Sequence, residues 1–346
     1  MSIALSLSGK YFSASVPDVS FDITGTSAAV TMTVDGEKIY SETLYPVGRT
    51  VTLSELGDLL RPYARKRLVV AFVISVSDRD AEGKELQNGS ASCSVVYCEA
   101  DIDLSAGSWC ENRFLTLLDG AKETAMGRLE YLHYIGSGSS TVHAVYSDGS
   151  SKDFDTTVIG GNDNYTTLDV SPDRFASGGK TLTSYTVTVG SRNQRFVIDP
   201  QKPDCAPVLL FSNSFGCEEL LYCTGKETLS GGFKYDNARI AGQSRNYKVT
   251  ETRSFKADTG ILSFAMAAWC QDMLRSDSVR IINFKGGAPQ MGREVVVSDP
   301  KVEYTNEADE LPRVTFTIQY AQRNHNVVDT GRAGRIFDNT FDYTFE

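Results

Sequence analysis

The tripeptide Asp-Thr-Gly occurs twice, at Asp258-Thr259-Gly260 and at Asp329-Thr330-Gly331. Two such triplets can supply the paired carboxylates of an aspartic protease, where one acid holds the proton and the other stays ionised. The context does not suit that chemistry. The copies lie 71 residues apart, no matching lobes surround them, and the first leads directly into a helical pattern. A helix cap and a tail turn are the readings that fit. Asp78-Arg79-Asp80-Ala81-Glu82-Gly83 copies the first half of a calcium loop, but the position of the bidentate glutamate falls on Gly89. An exposed acidic hairpin is expected there, and Asn162-Asp163-Asn164 reads as a turn. The three histidines, His133, His143 and His325, lack zinc spacing, and no cysteine pair forms C-x-x-C. Glu218 and Glu219 are neighbours on an expected strand, so they point to opposite faces and cannot pair as glycosidase acids. The chain contains no GxSxG, phosphate loop or dinucleotide glycine pattern. No catalytic residue, cofactor or metal ligand is expected, and the chain reads as a non-enzyme.

The elements that would position these residues are mostly strands. The stretch 208–225, VLLFSNSFGCEELLYCTG, is two apolar runs around a Ser/Asn/Gly break. It reads as two buried strands joined by a compact connection. It opens the longest continuously patterned region of the chain.

Residues 1–100 form a first unit. Val30, Met32 and Val34 alternate with threonines, Asp35-Gly36 is a strong hairpin turn, and 37–44 returns as the partner strand. Ser54 is placed to cap a short helix lined by Leu56, Leu59, Leu60 and Tyr63, with Pro62 limiting its length. Residues 68–76 and 90–97 read as strands separated by a polar excursion. The second unit, 101–199, has strands expected at 113–118, 129–135, 141–146, 152–159, 181–189 and 194–198. Both units read as immunoglobulin-like or related β-sandwiches.

Residues 200–207 belong to a segment with three prolines in nine residues, and they read as a linker. The third unit, 208–325, reads as a β-barrel or sandwich flanked by one helix at 261–275. Asp258 or Thr259 is placed to cap that helix, and Leu262, Ala265, Met266, Trp269 and Met273 share a face. The tail, 326–346, ends in an alternating aromatic run. Phe337, Phe341, Tyr343 and Phe345 fall on one strand face, opposite Asp338, Thr340, Asp342 and Thr344. This strand either completes its own domain or adds to a neighbouring subunit, and in the second case these four aromatics are the candidate contacts.

Composition narrows the function classes. Aromatics make up 10% of the 346 residues, and the abundant Tyr and Phe favour β structure. The net charge is −10, which argues against nucleic acid as a main partner. No apolar run approaches the roughly 18 residues that span a bilayer, so no membrane role is expected. The start, MSIALSLSGK, does not read as a secretory signal. Seven cysteines without a tight framework read as free buried thiols of a protein made in a reducing cytoplasm.

Phe211-Ser-Asn213-Ser-Phe215-Gly216-Cys-Glu-Glu219, ending in Thr224-Gly225, resembles a phrase in structural proteins of tailed phages and prophages of gut bacteria. Tyr45-Pro46 with Val51-Thr-Leu-Ser-Glu-Leu, Glu130-Tyr-Leu with Tyr146-Ser-Asp-Gly149, and the Phe-Asp-x-Thr-Phe tail fit the same likeness. The resemblance implies a virion component of the tail tip or baseplate, made in the host cytoplasm. It would form homo-oligomers and bind other tail proteins. The third unit is also similar in outline to tail-tube-type domains. The alternative is a module that binds a host-surface glycan or protein, for which Trp109 and the loop at Tyr165 are the sequence hints.

Overall fold

The computed structural model describes residues 2–162, 164–285, 288–303 and 310–321. The chain is mainly β, as its composition implies, with several sheets and three α-helices among the described residues.

The first unit contains β1 (Lys10–Phe12), β2 (Val19–Asp22), β3 (Ser27–Val34), β4 (Glu37–Leu44), β5 (Thr50–Leu53), helix α1 (Leu56–Arg67), β6 (Val69–Arg79) and β7 (Glu85–Val96). The five-stranded sheet β1-β7-β6-β3-β4 and the pair β2-β5 share one core. At the β3–β4 turn, Asp35 and Gly36 both have positive φ, as a tight hairpin requires. Two expectations are corrected. Glu55, in the left-handed region, precedes α1 without a side-chain capping bond, so Ser54 is not the cap, and Pro62 lies inside the helix rather than ending it. The polar stretch 77–89 is also largely paired: Ser77, Asp78 and Arg79 register with Asn88, Gln87 and Glu85. Its polarity reflects a hairpin end whose centre is the buried Asp78.

Helix α2 (Ala106–Asn112), capped by the Ser105 side chain, stands at the start of the expected second unit but buries Ala106, Trp109 and Cys110 in the first core. The second unit comprises β8 (Lys122–Thr124), β9 (Tyr131–Ile135), β10 (Thr141–Tyr146), β11 (Ser151–Asp155), β12 (Thr157–Gly161), β13 (Tyr165–Asp169), β14 (Leu182–Val189) and β15 (Arg192–Ile198). The sheets β11-β10-β14-β15-β8 and β12-β13-β9 form a sandwich around Tyr134, Tyr185 and Phe196. The expected strand at 113–118 is absent. Its apolar residues serve three different cores instead: Phe114 enters that of the second unit, Leu115 that of the first, and Leu118 that of the third. A strand whose side chains alternate between two faces cannot serve three directions.

The third unit holds β16 (Val208–Ser212), β17 (Glu218–Tyr222), β18 (Thr228–Ile240), β19 (Gln243–Ile261), helix α3 (Phe264–Arg275), β20 (Val279–Lys285), β21 (Ala288–Glu303) and β22 (Arg313–Tyr320). They form one sheet in the order β17-β16-β20-β21-β22-β19-β18. The sheet is open rather than a closed barrel: β17 and β18 follow each other in sequence yet lie at opposite edges. Helix α3 buries Met266, Ala267, Trp269, Cys270 and Met273 against it. The cap is Ser263, whose side chain accepts from the Met266 N–H. Asp258 and Thr259 are still in β19, so the expected start at 261 is corrected to 264. The Pro-rich segment 200–207 is held at its end, where Ala206 N–H donates to Cys223 and Cys223 N–H donates to Pro207.

Candidate functional site

The connection between β16 and β17 is where the three units meet. Asn213 closes it: its N–H donates to the Cys217 carbonyl at 2.8 Å, and its carbonyl accepts from Gly216 at 2.8 Å. Its side-chain oxygen accepts from the N–H groups of Phe215 and Cys217, at 2.9 and 3.0 Å. Gly216 has φ near +72°, and a Cβ there would sit 3.0 Å from the Tyr97 ring, so the position demands glycine. This tight loop pushes Phe215 into the first unit's core. There its ring lies 5.9 Å from Phe12 and 5.7 Å from Trp109.

The Asn213 amide nitrogen faces the other way. It donates to the Leu115 carbonyl at 2.8 Å and to Glu219 Oε1 at 2.6 Å. Glu219 Oε2 in turn accepts from the Trp269 indole N–H on α3. Lys122 lies 4.6 Å from the centre of the Trp269 ring, forms an ion pair with Glu130 at 2.7 Å, and donates to the Leu220 carbonyl. One buried chain of bonds therefore runs from residue 115 through the β16–β17 loop to α3. Burial raises the pKa of Glu219, while the Lys122 charge and the hydrogen bonds from Asn213 and Thr116 act against it.

Further ties surround this chain. Ser214 donates its N–H and its hydroxyl to Asp272 of α3, and its carbonyl accepts from Glu99 N–H at 2.9 Å. Burial raises the Asp272 pKa against the pull of those Ser214 bonds. His133 on β9 bridges to β17: Nε2 lies 2.9 Å from the Glu218 carbonyl, and Nδ1 lies 2.9 Å from the Thr167 hydroxyl. A carbonyl only accepts, so Nε2 carries the proton and Nδ1 accepts from Thr167. Tyr222 on β17 exchanges bonds with both backbone groups of Leu129, at 2.7 and 3.1 Å.

A cleft of about 460 Å³ opens beside this junction, lined by Tyr97, Glu99, Asp101, Ser214, Asp272 and Asp277 among others. Its polar groups are largely engaged with one another. Tyr97 donates to Glu99 at 2.6 Å, Arg65 pairs with Asp277, and Asp272 holds Ser214. Among the described residues, no group of three or more His, Cys, Asp or Glu is arranged to hold a metal ion.

The other residues singled out in the sequence have structural partners. Asp258-Thr259-Gly260 forms a bulge that staples the end of β17 to β19 and β22. Thr224 hydroxyl and Gly225 N–H donate to the Thr259 and Asp258 carbonyls, each at 3.0 Å. Thr259 Oγ1 accepts from Val314 N–H at 3.1 Å, and the Asp258 carboxylate holds Gly260 N–H and Arg313. The second triplet, 329–331, lies outside the described residues. Asp78 accepts from both donors of Thr24, from Gly25 N–H and from Gln87. Asp80 closes a turn by accepting from Glu82 and Lys84. Glu218 is exposed and Glu219 is buried, on opposite faces as expected. His143 pairs with Asp153 at the surface, and His325 lies outside the described residues. Trp109 is 7% exposed and belongs to the first core, and Tyr165 packs half-buried against it. Asn162 folds its own turn by accepting from Asn164 and Tyr165. Phe337, Phe341, Tyr343 and Phe345 lie outside the described residues.

Sequence reasoning marked the Asn213 stretch but read it as a simple connection. The available signal was Phe215: a large apolar residue inside a Ser/Asn/Gly break needs a core to enter. The segment 113–118 carried no signal distinguishing it from a strand.

No protein-family model and no curated protein matches the chain. Solved structures match the chain, among them the following two. The crystal structure of Rst D1-D2 is 11% identical, with 57% of this chain and 99% of that one covered, at a TM-score of 0.22. A variant of the three immunoglobulin domains I67–I69 of titin is 12% identical, with 75% of this chain and 93% of that one covered, at a TM-score of 0.18. At such TM-scores neither likeness carries an argument.

Proposed function

We propose that the chain is a non-enzymatic structural subunit of a phage tail tip, baseplate or related tail-like assembly, acting through contacts between subunits. The observation that supports this reading is the junction itself. Asn213, Glu219 and Trp269 bind the segment 113–118, β17 and α3 together, while Phe215 of the same loop enters the first core. Buried, fully paired polar groups hold an orientation because each unmade bond costs about 1–3 kcal/mol. A subunit that transmits force through lateral contacts needs its modules held in that way. The carboxylates of Glu219 and Asp272 serve here as fasteners. The phrase that resembles phage structural proteins, 211–219, is the one that forms the junction.

The test is the mass of the purified full-length chain in solution, followed by images of any assembly. A discrete ring or tube supports the reading. A monomer at high concentration removes its homo-oligomer half. Deleting 334–346 then asks whether the aromatic tail reaches a neighbour: loss of assembly with intact folding supports that contact, and general unfolding refutes it. The acidic cleft at Tyr97, Glu99 and Asp101 is the one observation favouring the second reading, a host-surface binding module. Retention of a glycan on an array, abolished by Glu99→Ala, would support that reading.

A further inference from the structure

Beyond Ser254, where β22 ends, the seven-stranded sheet divides: β20 and β21 continue as one hairpin, and β18 and β19 as a separate two-stranded ribbon. β19 pairs with β22 only between Ser254 and Ile261, whereas it pairs with β18 from Gln243 to Lys256. Residues 231–253 therefore have no third strand among the described residues. A two-stranded hairpin alone in water is marginally stable.

The ribbon's two faces differ sharply. Leu229 registers with Phe255, Phe233 with Glu251, and Tyr235 with Val249, so all six share a face, together with Arg253, which pairs with Glu251 there. The inner end of that face, Phe255, is buried in the third core. Among the described residues nothing covers the face beyond this point: Leu229 is 43% exposed, Phe233 55%, Tyr235 52% and Val249 54%. Tyr247, the unpaired bulge residue between Lys248 and Asn246, is 66% exposed. The rings of Phe233 and Tyr235 lie against each other with centroids 6.4 Å apart. The opposite face carries Lys234, Asp236, Lys248, Thr250 and Thr252. A core-forming face thus continues past its own core.

Charge separates the ribbon from the rest of the chain. Between 228 and 253 there are five basic residues, Lys234, Arg239, Arg245, Lys248 and Arg253, against two acidic ones, Asp236 and Glu251. The whole chain carries −10, so the acidic excess lies entirely outside the ribbon.

We infer that this ribbon is the docking element of the assembly and that the acidic body of a second copy of the chain covers its apolar face. The inference rests on the assembly reading above and names its contact. Charge selects the occupant. Five basic against two acidic residues give the ribbon a positive field that draws it to an acidic body whichever face carries the charges, whereas two ribbons laid together repel. The contact is therefore heterologous, ribbon to body, and such contacts close into rings or propagate as tubes. Single-stranded nucleic acid fits less well. It needs stacking rings and basic groups along one groove, and here Lys234 and Lys248 point away from the aromatic face.

The experiment compares three full-length chains by sedimentation and imaging at low and high salt. They are the wild type, a face variant (Phe233→Ser, Tyr235→Ser, Tyr247→Ser, Val249→Thr) and a charge variant (Lys234→Glu, Lys248→Glu). Tryptophan fluorescence, from Trp109 in the first core and Trp269 in the third, reports whether those cores are intact. The expected result is a ring or tube for the wild type, monomer for the face variant, and self-association weakened about tenfold or more for the charge variant, with the wild type weakening as salt rises. If both variants assemble like the wild type, the ribbon inference falls while the assembly reading stands. A wild-type monomer at high concentration overturns the ribbon contact together with the homo-oligomer reading. A closed symmetric dimer overturns the heterologous contact. Single-stranded DNA bound by the wild type and lost in the face variant overturns the choice of occupant. If the face variant does not fold, the charge variant, which leaves the apolar face intact, decides.

Discussion

Asn213 donates a hydrogen bond to the carbonyl oxygen of Leu115 at 2.8 Å, joining two points 98 residues apart in the chain. The same amide also holds Glu219, and its oxygen holds the N–H groups of Phe215 and Cys217. All four bonding positions of one side-chain amide are thus filled inside the protein.

Asn213→Ala is expected to destabilise the chain by about 3–5 kcal/mol, because it leaves several buried groups without partners at about 1–3 kcal/mol each. Asn213→Asp should cost more, since it replaces a donor with a second negative charge beside the buried Glu219. Urea unfolding midpoints measure both. A loss under about 1 kcal/mol for the alanine variant would mean the junction is not held at this residue.

His133 gives a pH dependence with a definite sign. Burial holds its pKa below the ordinary value of 6.5. Below that value the unfolded chain takes up a proton that the folded chain resists, so stability present above pH 6.5 is lost as pH falls through the folded pKa. Protonation would place a donor on Nδ1, where the ring now accepts from Thr167. His133→Gln removes the titration, and the loss of stability from pH 7 to pH 5 should shrink by up to about 1.4 kcal/mol per pH unit. Parallel thermal melts of both chains across that range test this. Equal slopes would count against it.

Gly260 and Gly36 separate backbone strain from crowding. Both have positive φ, near +77° and +83°. A Cβ at Gly36 meets nothing within 4 Å, whereas one at Gly260 would lie 2.2 Å from Thr224 Oγ1. Gly36→Ala should cost about 1–2 kcal/mol from conformation alone. Gly260→Ala should cost about 2 kcal/mol more, because it forces apart the staple between Thr224 and Thr259. Chemical denaturation of the two variants gives the comparison, and equal losses would show that the staple yields.

The seven cysteines should be nearly inert in the folded chain. Burial pushes the thiol pKa of Cys98 and Cys270 up to about 12, and that of Cys93 up to about 11. Cys205 is only half-buried, beside the Arg128 guanidinium at 3.2 Å, so it should be the first to react. Thiol titration with a disulfide reagent near pH 8 is expected to label Cys205 slowly and all seven only in denaturant. Rapid labelling of several thiols without denaturant would contradict the burial described here.

Much of the fold was legible residue by residue. The Asp35-Gly36 hairpin, the paired strands around 208–225 and the apolar face of Met266, Trp269 and Met273 follow from turn chemistry and from periods of two and 3.6, which are local properties. The errors arose where a local signal served a distant partner. Residues 113–118 carry the apolar density of a strand, yet Phe114, Leu115 and Leu118 feed three cores. Asp258-Thr259-Gly260 resembles both a catalytic triplet and a helix cap, but the nearness of Thr224 and Val314 makes it a staple.

The sequence by itself determined that this is an acidic, strand-rich chain of sandwich-like units with a helix in the third, because alternation, turn residues and charge are written in neighbouring positions. Only the tertiary structure decided that Glu219 and Asp272 are buried fasteners and that no described residue covers the face bearing Phe233, Tyr235 and Val249. Burial depends on what packs against a residue, and here those partners come from segments tens of residues away. Alternation specifies which side chains share a face, but only the assembled chain specifies where the covering layer ends.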